Sequence, residues 1–540
     1  METTDSWPRS HHDLIRHYAK QYEEQTGSGE FTPFVYPWGA FGAFVVIGYL
    51  LIPHQNRPWL RRLRFVAFAW IAAFAAYCII YMRARSMAAS LGVGLMSAWS
   101  VVWIAAILVV NDAQTDFQRI ERTEGVFGSS VLNDKTEDGY PHGKSERKEN
   151  GYTKRVVPNG GQVYNHLGPS KRHGEFAWQP YPLTPFMERL DWVLDIFCNF
   201  RGAGWNWRTS ALSPPPKWIQ EQLHRNSFDP PRHSNKVRPG QTKLYETRRE
   251  MLVTNAKTLV TAYIILDAIK TLMMHDPYFW GLIDRKPPSY FPVWITQSPV
   301  LVRVYRLFLT QMAIKWALQG IFALGPLFFS GLLGPSMLGA RAEPWMYPET
   351  WGTYDVVLDR GVGGWWSSWW HQTFRFAFEQ PSRKLIQIVG MDPRSPIAKL
   401  IQLFIAFGLS GFVHASGSYT CAGSTEPIHG PVVFFLLQAL GIFLEALVTH
   451  SLCKTGIQHR MPRVITRAIT FLYVHVWFYF TAPLLANDFA RGGVWLFEPI
   501  PISPLRGLGF GLEEDGFFCW RGTLASWHSD SRWWRRGVAL

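Results

Sequence analysis

The run Ile401-Gln402-Leu403-Phe404-Ile405-Ala406-Phe407-Gly408-Leu409-Ser410-Gly411-Phe412-Val413-His414 decides the class of this chain. It carries no charge before its last residue. Counted from residue 397, it nears the length of about 20 mainly apolar residues that a helix needs to cross a bilayer. An ionisable side chain at that depth is costly, so His414 reads as a functional candidate.

Similar runs lie on both sides. Residues 34–52, 65–81 and 86–110 are apolar and uncharged, and 432–448 and 465–485 follow the His414 run. Residues 251–274 are apolar but hold Lys257, Asp267 and Lys270, so they can span only if those groups face a protein interior. Residues 307–333 contain Lys315 and a Gly325-Pro326 step that suits a kink. The pattern predicts an all-α, polytopic integral membrane protein with seven to nine transmembrane helices. It divides the chain into a polar N-terminal segment (1–33), three spans (34–110) and a polar loop (111–250). Further spans (251–340), a loop with an amphipathic helix (341–396), three spans around His414 (397–486) and a Trp-rich tail (487–540) complete it.

Composition fits this reading. Of the 540 residues 47 % are hydrophobic, 15 % aromatic and 17 % charged, against about 25 % charged in soluble domains. The 26 tryptophans suit anchoring at membrane interfaces. A mean hydropathy of −0.04 requires large polar parts beside the apolar runs. The net charge of +14 comes from basic residues that flank those runs, which points to anionic lipid and topology rather than nucleic acid. The basic link 54–64 argues for a cytosolic position, with a lumenal N-terminus and a cytosolic 111–250 loop. Cys78, Cys198, Cys421, Cys453 and Cys519 are scattered and read as free thiols. Residues 1–30 lack the apolar core of a signal peptide, and no N-glycosylation acceptor occurs.

Within the polar loop, 127–175 is rich in Gly, Asn, Lys and Glu and reads as a flexible insertion. After it, 186–197 has apolar residues at helical spacing and suits a helix along the membrane surface.

A second histidine lies in Trp365-Trp366-Ser367-Ser368-Trp369-Trp370-His371-Gln372-Thr373-Phe374-Arg375. If 366–379 is helical, Trp366, Trp370, Phe374 and Phe378 form one stripe, and His371, Arg375 and Glu379 the next. One reading is an interfacial helix anchored by its Trp rings. The other sets Arg375 on a phosphate or carboxylate and gives His371 a role in proton transfer or positioning. For His414, Ser410 and Ser418 share its helix face, and Gly408, Gly411 and Gly417 permit close helix approach. A neutral imidazole in an apolar setting makes a good general base. The plainer alternative is a histidine bonded to a backbone carbonyl. A third constellation, Asp112 and Asp116 with Asp355 and Asp359, would suit Mg²⁺ and a diphosphate in a membrane prenyltransferase, although Thr115 departs from that spacing. A transporter would show an internal repeat, and none is visible.

Trp370-His371-Gln372-Thr373-Phe374-Arg375, Ser410-Gly411-Phe412-Val413-His414-Ala415-Ser416-Gly417 and Arg201-Gly202-Ala203-Gly204-Trp205-Asn206-Trp207 resemble the wax-synthase-like branch of the membrane-bound O-acyltransferases. Asp116-Phe117-Gln118-Arg119-Ile120-Glu121 and the Trp533–Leu540 end are similar too, and the fungal terpenoid, meroterpenoid and trichothecene acetyltransferases are the nearest type. The Gly364–His371 wording departs from the Trp-Gly and Arg more usual in wax synthases. The resemblance implies a multi-pass fold in the endoplasmic reticulum membrane and transfer of an acetyl group from acetyl-CoA to a hydroxyl of an apolar polycyclic alcohol. It implies no bound cofactor and no metal, with acyl-CoA as co-substrate. His414 would deprotonate the acceptor, His371 would take the second polar position, and Arg375 would meet the acyl-CoA phosphates. A wax-ester-type long-chain acyltransferase, the prenyltransferase and the transporter remain as alternatives.

Overall fold

Seven helices among the described residues are long and apolar enough to cross a membrane: Pro58–Tyr81, Met87–Val110, Arg248–Met274, Pro299–Leu333, Pro396–Thr420, Ile428–Lys454 and Arg463–Arg491. This computed structural model describes residues 8–125, 174–226, 241–288, 291–455, 461–520 and 525–539. The expected flexible insertion, 127–175, lies almost wholly outside the described residues. The protein is an all-α, multi-pass membrane protein, with three small sheets among the described residues.

The expected first span, 34–52, is shorter than its sequence suggests. Its helical part runs only from Trp38 to Leu51, about 21 Å at 1.5 Å per residue, against about 30 Å of hydrocarbon. Both ends have a cause. Val35–Tyr36 pair antiparallel with the C-terminal strand Gly537–Ala539, which holds the entry extended. Ile52 precedes Pro53, which disfavours helix at Ile52, and that residue is extended (ψ 115°).

The His414 helix, Pro396–Thr420, packs along Met87–Ile104 at very short range. A Cβ on Gly94 would fall 1.9 Å from Ser416 O, so only glycine permits this crossing. Ser90 Oγ donates to Thr420 O (2.5 Å) and Thr420 Oγ1 to Ser90 O (2.7 Å), bonds that gain weight where no water competes. Gly417 packs on Leu91 and Gly411 on Val432, as close approach requires, whereas Gly408 has almost open space.

The charges in Arg248–Met274 are answered by the tail. Asp267 accepts from Ser503 Oγ and from Leu505 N–H. Lys270, buried, donates to Trp495 O and pairs with Glu498 at 3.6 Å. Lys257 stays exposed.

The polar loop is a packed plate in its described parts. Arg119–Arg122 pair antiparallel with Phe176–Gln179. Buried Arg119 meets Asp191 (2.6 Å) and Asp195 (3.3 Å), and Arg341 meets Glu121 (2.9 Å) and Asp191 (2.7 Å). The 186–197 segment forms the helix Phe186–Cys198, as its spacing predicts. Trp192, Val193 and Ile196 are fully buried against the aromatic core, so one face is protein-covered, while Phe186, Met187 and Leu194 are exposed.

Candidate active site

A broken helix positions His371. Asp355–Gly364 runs into a π-helical turn, Trp365–Trp369, and Trp370 is extended (ψ 146°) before a new helix starts at Arg375–Val389. The expected continuous helix over 366–379 is therefore absent. The physical reason lies in Gln372, whose amide Nε2 donates to Trp366 O (2.9 Å) and Trp370 O (2.6 Å). Those carbonyls would otherwise lose their partners where the turn ends. Arg375 Nη1 closes the knot, donating to Ser367 O (3.0 Å) and Gln372 Oε1 (3.1 Å). Upstream, Gly361 turns the chain at φ 59°, and a Cβ there would fall 2.0 Å from Glu445 Oε1. Glu445, an acid within Ile428–Lys454, accepts from Gly363 N–H at 3.0 Å and fills that notch.

The break takes His371 out of line with Arg375 and Glu379. Those two stay on one helix and pair at 2.5 Å. Arg375 keeps part of its surface exposed, and no bond from its Nη2 is among those to described residues. His371 sits among the rings of Trp370 (5.4 Å between centroids), Phe322 (5.6 Å), Phe374 (5.6 Å) and Trp351 (5.9 Å). Its Nδ1 is buried without a hydrogen-bond partner. Burial holds this imidazole well below its ordinary range, and His414 and Arg201 lie near enough to press the same way. His371 is thus neutral around pH 7.

His414 sits on an unbroken helix. Its Nδ1 is 2.9 Å from Ser410 O. A carbonyl only accepts, so the proton is on Nδ1 and Nε2 carries the lone pair. The partner is the Ser410 carbonyl rather than a serine hydroxyl, and Ser418 Oγ instead donates to Asp488 Oδ1 (3.0 Å). Both histidines are half-buried rather than fully enclosed.

Aromatic contacts join the two. Trp370 packs on Trp366 (5.8 Å), Trp366 on Phe435 (5.8 Å) and Phe435 on His414 (4.6 Å). Gln438 is the polar tie beneath this wall. Its Oε1 accepts from Trp477 Nε1 (3.2 Å) and Trp366 Nε1 (3.5 Å), and its Nε2 donates to Thr481 Oγ1 (3.2 Å). Arg201 stands behind His371 with its guanidinium on Pro348 O (3.1 Å) and Glu349 O (2.7 Å) and its Nε unpartnered. Sequence reasoning assigned nothing to Gln438, Glu445, Gln372 or Arg201. Gln438 and Glu445 carried the signal that marked His414, a polar side chain inside an apolar run.

Three of the four aspartates weighed for Mg²⁺ are already paired with arginine, and the fourth, Asp116, accepts from Asp112 N–H (2.7 Å). Asp112 holds Arg61 (2.5 Å) and Arg64 (3.4 Å). Asp355 pairs with Arg467 (3.0 Å), and Asp359 with Arg467 (2.7 Å) and Arg463 (3.2 Å). A diphosphate-bound cation would have to displace these arginines.

Residues 349–437 match the membrane bound O-acyl transferase family. The acetyltransferase ple2 of Rhodocybe pseudopiperita is 25 % identical over 55 % of this chain and 66 % of its own length. The O-mevalon transferase yanI of Aspergillus niger is 24 % identical over 48 % of this chain and 53 % of its own. The acetyltransferase aurG of Calcarisporium arbuscula is 21 % identical over 48 % and 62 %. The chain thus spans between about half and two thirds of the length of these relatives. No solved structure matches it. The resemblance read from the short motifs is borne out, and the segment that carries both His371 and His414 is the one similar to the membrane bound O-acyl transferase family.

Proposed function

We propose that the protein is a membrane-bound O-acyltransferase that moves an acetyl group from acetyl-CoA to a hydroxyl of a terpenoid or meroterpenoid intermediate of fungal secondary metabolism, in the endoplasmic reticulum membrane. One observation carries the reading. His414 has its proton fixed on Nδ1 by Ser410 O, which leaves a basic Nε2 beside an aromatic wall shared with a second, neutral histidine. The family match over 349–437 and the acetyltransferase names of ple2 and aurG support acyl transfer and the acetyl donor.

In this mechanism the acceptor oxygen attacks the thioester carbonyl as His414 Nε2 takes the hydroxyl proton. The oxyanion of the tetrahedral intermediate accepts from the N–H of His371. Collapse breaks the C–S bond, and the coenzyme A thiolate recovers the proton from His414. A thioester is already activated, so a base and fixed geometry suffice and no acyl-enzyme forms. The apolar alcohol enters from the bilayer. Acyl-CoA enters from the cytosolic side, where Arg375 can meet its phosphates.

Microsomes carrying the chain, given labelled acetyl-CoA and a hydroxylated terpenoid, should yield labelled ester without added Mg²⁺. Transfer from a labelled prenyl diphosphate and none from acetyl-CoA would overturn the reading in favour of a prenyltransferase. Preference for a long-chain acyl-CoA would move it to the wax-ester type.

A further inference from the structure

We propose that His11, His12 and Asp515 form a zinc site that clips the N-terminal helix to the C-terminal segment. The three residues come from the two ends of the chain: His11 and His12 open the helix His11–Gly27, and Asp515 lies in the tail. One ligand atom from each lies within 4.8 Å of the others. Nε2 of His12 is 3.0 Å and Nε2 of His11 3.5 Å from the same Oδ1 of Asp515. Ligands on a tetrahedral zinc with bonds of about 2.0–2.1 Å stand about 3.3 Å apart, and the two imidazole–carboxylate distances lie on either side of that value.

Two features go beyond proximity. His11 is fully buried, yet its Nδ1 has no hydrogen-bond partner and its Nε2 has only the long 3.5 Å contact with Asp515. Buried polar atoms in native proteins are nearly always satisfied, and a metal would satisfy Nε2. The side chain of Asp515, largely covered, has no lysine or arginine ion-pair partner among the described residues, only the two imidazoles. Its other oxygen accepts from Leu512 N–H at 2.9 Å, which aims Oδ1 at the histidines as outer partners aim metal ligands. The two rings lie 3.9 Å apart between centroids with their planes inclined at 38°, which brings both imidazoles to the same carboxylate.

The surrounding charge favours a cation. Lys270 and Arg506 are both engaged by Glu498. Asp267 is bound by hydroxyl and amide groups, so the carboxylates outnumber the lysine and arginine in this buried group. Two imidazole nitrogens and one carboxylate oxygen form a donor set suited to zinc, with water as the fourth ligand. The ion would fasten the tail that also answers Asp267 and Lys270 of the membrane helix Arg248–Met274.

The test is elemental analysis of the full chain purified in detergent, followed by Co²⁺ titration of chelator-treated protein. The expected result is about one equivalent of zinc per chain and the visible absorption of tetrahedral Co²⁺. Both should be lost in His12→Ala and in Asp515→Asn. His12 is partly exposed, so His12→Ala keeps its fold, and size-exclusion behaviour checks this. Chelation should lower the melting temperature of wild type but not of His12→Ala. Protein isolated without zinc that gives no Co²⁺ spectrum would overturn the proposal. So would zinc that persists in both variants, which marks an adventitious ion only.

Discussion

His414 stands in the unbroken helix Pro396–Thr420, whereas His371 stands in the gap between the π turn Trp365–Trp369 and the helix Arg375–Val389. The helix gives His414 a carbonyl four residues back, and that single bond fixes which nitrogen is basic. The gap gives His371 no hydrogen bond at Nδ1, only rings on several sides, while Gln372 and Arg375 hold the backbone around it. A base benefits from a fixed tautomer. A donor to a developing oxyanion benefits from an unclaimed N–H that finds its partner only as charge appears. The difference in support therefore matches the difference in proposed role.

The largest expected effect is on the base. His414→Ala should lower kcat by about 10²- to 10⁴-fold with the protein still inserted in membranes. His371→Ala should cost about 10²- to 10³-fold, the usual loss for one oxyanion donor. Rates for the two variants at equal protein amount measure the comparison directly. An His371→Ala loss larger than that of His414→Ala would exchange the roles.

Gln372→Leu tests the gap itself. It leaves the Trp366 and Trp370 carbonyls without their donor, so stability should fall by about 1–3 kcal/mol. His371 would then be misplaced, and kcat should drop by about tenfold, the cost of a small positional error at a reacting centre. Thermal unfolding in detergent and steady-state assays read the two parts.

The pH response gives a smaller handle. Burial lowers the His371 pKa in the folded protein from its ordinary 6.5. Below that pH the unfolded chain binds a proton there and the folded chain does not, so stability falls as pH falls and is unaffected above it. The slope is at most about 1.4 kcal/mol per pH unit for this group. His371→Asn should flatten the melting-temperature profile below pH 6.5 and leave it unchanged above.

Arg375 should matter least. Two of its nitrogens already serve Glu379, Ser367 and Gln372. Arg375→Lys should raise KM for acetyl-CoA about fivefold, near 1 kcal/mol, with kcat nearly unchanged. A kcat effect alone would show that Arg375 acts only through the Gln372 knot.

The sequence shows the membrane-spanning character clearly, because a run of apolar residues has few other uses, and His414 stands out against such a run. The short helix Trp38–Leu51 was not legible, since it depends on Val35–Tyr36 pairing with residues some five hundred positions away. The break at Trp370 is hidden for a different, local reason. Trp366, Trp370, Phe374 and Phe378 keep helical spacing, but side-chain bonds from Gln372 outweigh periodicity there. Asp267 and Lys270 in an apolar run require a protein interior, yet nothing local names Ser503, Trp495 and Glu498 as their partners.

The most direct test of the central claim is single-turnover acetyl transfer by purified His414→Ala with added imidazole. The account predicts that the variant loses the chemical step and that imidazole restores part of the rate in proportion to its concentration, because the missing group is a base with an open lone pair. Transfer at the wild-type rate in His414→Ala, with or without imidazole, would contradict it.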